Sequence, residues 1–61
     1  MPEVIVYAVE GRSLDQKRAL VRDITEAVSR NFAAPVEAVT VQIVECPRTD
    51  KAKGGVLFCD L

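Results

Sequence analysis

Apolar and polar positions change rhythm twice along this chain, and each change marks an element. Residues 3–9, EVIVYAV, are rich in β-branched and aromatic types, with apolar side chains at both parities. That pattern predicts a strand covered on both faces. EGRS interrupts it: Gly11 allows a flexible turn, and Ser13 with Gln16 three residues on forms a capping box that opens a helix. Leu20, Val21, Ile24, Ala27, Val28 and Phe32 then recur at helical spacing and make one apolar stripe. Lys17, Arg18, Arg22, Asp23, Glu26 and Arg30 mostly fill the opposite face and read as a solvated surface. The helix should stop near Phe32, because Pro35 disfavours helical geometry at the residue before it. PVEAV suits one turn leading into VTVQIVE, residues 39–45, a second strand with Val39, Val41 and Ile43 on one face. CPRTDKAKGG reads as a loop and VLFCDL as a short terminal strand, with Gly54-Gly55 forming a tight turn or bulge between them.

Strand, long helix, strand is a β-α-β unit, so the two main strands should be parallel. The fold class is therefore α+β: a single β-α-β unit with a short C-terminal strand, forming one domain over residues 1–61. Two strands and one helix leave a sheet face and two edges open, and such edges invite pairing with another copy. VLFCDL either pairs within the subunit or reaches a neighbour.

Length sharpens this expectation. A domain of 61 residues buries only about 60% of the surface its unfolded chain exposes, and small scaffolds compensate with disulfides, metal or oligomerisation. Two cysteines, Cys46 and Cys59, and no histidine offer little for the first two routes, and their C-x12-C spacing matches no zinc pattern. Both cysteines read as small packing residues. With 49% apolar residues, assembly into an oligomer is the expected source of stability. A net charge of −1, mixed along the chain, gives no basic stripe for nucleic acid. No apolar run approaches the roughly 20 residues that span a bilayer. The N-terminus has no basic region or cleavage signal of a secretory peptide, so a cytoplasmic protein with free thiols is expected.

Pro2, the EGRS turn, QKRALVRDITEAVSR, APVEAVTVQIVE and the later GG, in that order and spacing, resemble the 4-oxalocrotonate tautomerase family from Pro2 to about Gly55. The resemblance implies a β-α-β subunit assembled as a hexamer, a trimer of dimers. It also implies an N-terminal proline acting as acid and base without cofactor or metal. Pro2 falls on the catalytic proline, freed when Met1 is removed. Arg12 falls on the arginine that binds a substrate carboxylate. The second arginine of well-known members falls at Thr40 and their active-site phenylalanine at Lys51, so this chain departs from the pattern at both. Thr40 is then a neutral hydrogen-bond donor at a substrate-binding position, or an ordinary strand threonine. Lys51, like Arg48, brings positive charge to the site from the loop, or is a solvated loop cation.

The chemistry explains the need for these residue types. Moving a proton through an enol requires a group that both takes and returns it near neutral pH. Apolar surroundings and nearby cations lower the basicity of an amine toward that range, and the proline ring fixes the direction of the nitrogen. Pro2 at the head of a strand is also commonplace as mere punctuation. Ten residues separate Pro2 from Arg12, about 25 Å or more of extended chain, so joint action on one small substrate requires two protomers. A tautomerase acting on a small 2-oxo or enol carboxylate is the leading expectation. Water addition to unsaturated acids on the same fold ranks lower, and a non-catalytic or weakly active subunit of a homo- or hetero-oligomer is the reading from another class.

Overall fold

The computed structural model describes all 61 residues. β1 (Glu3–Val9) runs parallel to β2 (Thr40–Cys46), with Glu3 opposite Thr40 and Val9 opposite Cys46. Between them α1 (Leu14–Phe32) makes the crossover. Ser13 caps the helix as the sequence suggests: its Oγ accepts from the Gln16 N–H at 3.1 Å, and Gln16 Oε1 accepts from the Ser13 N–H at 2.8 Å. Satisfying two end donors in this way fixes where the helix begins. It ends at Ala33, which adopts left-handed geometry (φ 53°, ψ 39°), with the Ala34 N–H donating to the Ser29 carbonyl at 3.2 Å. One short turn of 3-10 helix, Val36–Ala38, then leads into β2. Val39 belongs to that turn, its N–H bonded to the Val36 carbonyl, so β2 starts and ends one residue later than its apolar pattern indicated.

Strand parity sorts the side chains. Val4, Val6 and Ala8 of β1, with Val41 and Ile43 of β2, lie on the helix side and are half-buried. Ile5 and Tyr7 point the other way and are 47% and 72% exposed. The double-sided apolar pattern of β1 is thus met on only one side within the protomer. A 19-residue helix is about 28 Å long, whereas a 7-residue strand is about 23 Å. The helix is thus longer than the strands it crosses between, and Leu14 in its first turn, Leu20 and Phe32 in its last turn are 62%, 40% and 72% exposed. No residue of the protomer is fully buried.

The segment after β2 is more ordered than a plain loop. Arg48–Asp50 forms a 3-10 turn, and β3 (Ala52–Lys53) pairs with β4 (Val56–Leu57) in an antiparallel hairpin. Gly54 and Gly55 make its tip at φ 60° and 82°, the left-handed pair that a two-residue hairpin loop requires. The terminal strand stops at Leu57, because Phe58–Asp60 closes into another 3-10 turn. Within the protomer it pairs with its own hairpin partner and not with β1 or β2.

Candidate active site

The strand register decides which candidate residues meet. Pro2 precedes β1 and is half-buried, and its carbonyl accepts from the Thr40 N–H at 3.0 Å. Pro2 and Thr40 therefore sit side by side at one end of the sheet. While Met1 is attached, the Pro2 nitrogen is an amide without basicity; once Met1 is removed it is a secondary amine. Met1 itself is 98% exposed.

Arg12 stands beyond the other end of the same strand. The Glu10 N–H bonds the Cys46 carbonyl at 3.0 Å, extending the pairing past β1 before Gly11 (φ 129°) turns the chain into the helix. An L side chain rarely adopts that φ, which accounts for glycine directly before Arg12. Arg12 is exposed, and its Nη1 donates to the Val9 carbonyl at 3.0 Å. No carboxylate pairs with it. The length of β1, about 23 Å, separates Arg12 from Pro2. One protomer thus holds Pro2 and Thr40 at one pole and Arg12 near the other.

Lys51 lies between the Arg48–Asp50 turn and β3, half-buried, with its carbonyl accepting from the Phe58 N–H at 2.8 Å. The base of the hairpin therefore holds it in place. Like Arg12 it follows the far end of the sheet, away from Pro2 along the chain. Arg48 is exposed on the turn.

A groove of about 210 Å³ opens between helix and sheet beside Arg12, lined also by Val6, Ala8, Leu20, Ile43 and the pair Lys17–Glu45. Lys17 Nζ and Glu45 Oε1 are 2.5 Å apart, with side chains 31% and 28% exposed. Lys17 is thus not part of the solvated helix face: it leans onto the sheet and forms an ion pair across 28 residues. Sequence reasoning missed this pair. The signal lay in the parity of β2, where Val41 and Ile43 continue to Glu45 on the same face. A carboxylate there needs a cation from the helix above it.

Three comparisons place the chain. A family model described as "Tautomerase enzyme" matches residues 2–60. The 2-hydroxymuconate tautomerase of Pseudomonas putida is 46% identical over 55 residues, 90% of this chain and 87% of that protein. A solved 4-oxalocrotonate tautomerase homologue superposes with a TM-score of 0.95 at 44% identity, covering 100% of this chain and 97% of its own. A heterohexamer 4-oxalocrotonate tautomerase from Chloroflexus aurantiacus gives 0.92 at 33% identity, covering 100% and 98%. With a capped β-α-β unit, a proline heading its first strand and an unpaired arginine after it, the chain belongs to the tautomerase family.

Proposed function

We propose that this protein is a cofactor-independent tautomerase of small 2-oxo or enol carboxylates, with Pro2 as acid and base. Its family supports tautomerase-type isomerase activity; the roles below are our reading. After Met1 is removed, the Pro2 lone pair takes the proton of the enol hydroxyl, which leaves an enolate with the O–H electron pair on oxygen. As that pair closes the ketone C=O, the enol double-bond electrons take the proton back from the Pro2 ammonium at carbon, so the amine is regenerated and no redox partner is needed. Arg12 of an adjoining protomer holds the carboxylate with charge-assisted hydrogen bonds. Thr40 donates a hydrogen bond beside Pro2, and Lys51 adds positive charge from a neighbouring hairpin. The assembly is a homo-oligomer, a hexamer built as a trimer of dimers.

The observation that carries this reading is the polar separation of Pro2 and Arg12 along β1, combined with a protomer in which nothing is fully buried. Assembly completes both the core and the site. The test is the intact mass of the mature chain followed by turnover of simple enol acids by the wild type and Pro2→Ala. Loss of Met1 and a loss of at least about a hundredfold in kcat/KM are expected, in line with removal of a positioned acid/base. Equal rates for the two proteins would end the proline-base proposal.

A further inference from the structure

Arg12 has a competitor for its charge inside its own protomer, and a lysine holds that competitor off. Arg12, Lys17 and Glu45 border one cleft where the start of α1 meets the sheet. Glu45 stands opposite Ala8 on the helix side of β2, and Lys17 directly follows the Ser13–Gln16 capping box. The Glu45 side chain is only 28% exposed, and its carboxylate takes the Lys17 ammonium at 2.5 Å. A carboxylate so placed is costly without a cation, and two cations are at hand, Lys17 and Arg12. Arg12 has no carboxylate partner; its Nη1 donates only to the Val9 carbonyl. Other carboxylates at this end make no such demand. Asp15 is held by Arg18 at 2.9 Å, and Glu10 is exposed and does not border the cleft.

We infer that Lys17 is a positioning residue that keeps Arg12 available to substrate by occupying Glu45, a role that rests on the carboxylate-binding function given to Arg12 above. A guanidinium pairs with a carboxylate at least as well as an ammonium does, often through two parallel hydrogen bonds. Glu45, tethered in the same protomer, competes with any substrate carboxylate at a fixed and high effective concentration. With Lys17 in place that competitor is satisfied and Arg12 stays free. Without Lys17, Glu45 draws Arg12 in, and the apparent affinity for a carboxylate falls with the fraction of time that Arg12 is free. The device acts within one protomer and needs no ligand in the cleft itself.

An asymmetry follows that a merely structural ion pair lacks. Lys17→Gln and Glu45→Gln break the same contact, but only the first leaves a carboxylate in want of Arg12. The test measures the Kd of phenylpyruvate by calorimetric titration of the intact oligomer, and KM and kcat for its enol. Lys17→Gln is expected to raise Kd and KM about tenfold with kcat little changed, as when Arg12 is free about one-tenth of the time. Glu45→Gln should stay within about threefold of wild type, and the double variant Lys17→Gln/Glu45→Gln should return to that range. Lys17→Met, which keeps most of the apolar stem, takes the place of Lys17→Gln if that variant assembles poorly. Equal weakening by both single variants, a double variant as weak as Lys17→Gln, or phenylpyruvate binding that Arg12→Gln leaves unchanged would overturn the inference even if turnover is robust. The same asymmetry in Kd from a protein without turnover would leave the role of Lys17 standing and sink the tautomerase reading.

Discussion

Arg12 is an exposed side chain whose one hydrogen bond returns to its own chain, to the Val9 carbonyl. Nothing in the protomer needs its charge, and a cation at the start of a helix meets the positive end of the macrodipole, at a cost of about 0.3–1 kcal/mol. A residue kept against a local rule in this way points to use by a ligand. Arg12→Gln should therefore leave folding and assembly intact while lowering kcat/KM for enol acids about 10- to 100-fold, the worth of a charge-assisted hydrogen bond. Steady-state kinetics with circular dichroism as a folding control would check it; an unchanged kcat/KM would remove Arg12 from the site. The positions of Pro2 before β1 and of Arg12 in the turn before the capping box were legible in the sequence, whereas the roles proposed for them come from the family resemblance. Lys17 and Glu45 were not, because their meeting depends on the parallel register and on the rotation of the helix above it. Helical periodicity alone assigned Lys17 to solvent.

Elements were read more completely than contacts. β1, the span of α1 and the turn after Pro35 all follow from signals within a few residues: a β-branched apolar run, the Ser13–Gln16 box and the proline. The hairpin did not follow. Its strands are two residues each, too short for a period to be recognised, and only the Gly54-Gly55 pair hinted at it. The terminal strand was overextended because Phe58 and Cys59 look like strand residues, although the chain turns there to bond the Leu61 N–H to the Phe58 carbonyl at 3.3 Å. At the helix end, Ala33 holds a left-handed conformation in which an L side chain is disfavoured by roughly 1–2 kcal/mol. Ala33→Gly relieves that cost and gives part of it back as unfolded-chain entropy. A net stabilisation of about 0.5–1 kcal/mol per protomer is expected from denaturant unfolding at fixed protein concentration. No gain, or a loss, would show that the cap is not strained.

The whole protomer is the wrong shape for a monomer. Its radius of gyration is 14.6 Å and its longest extent 43 Å, whereas a compact chain of this length would have a radius of about 10.5 Å. The hairpin extends the chain beyond the sheet, and the face bearing Ile5 and Tyr7 lies open. The need for assembly was legible from length and composition; the surface that assembly covers was not, because strand parity had to be anchored by the register first. Tyr7→Asp places a charge on that open apolar face, which carries no role in the proposed chemistry. It should dissociate the oligomer and unfold the chain together, seen by sedimentation and circular dichroism at matched concentrations. A folded Tyr7→Asp monomer would show that the protomer stands alone.

The shared site is tested most directly by mixing two impaired proteins. Pro2→Ala and Arg12→Gln subunits, unfolded together at equal amounts and reassembled, form mixed oligomers. If Pro2 of one protomer works with Arg12 of another, about a quarter of the sites receive both native residues by random assembly. Recovery of about a quarter of wild-type activity is the expected result; a mixture as inactive as its two parents would contradict a site built between protomers.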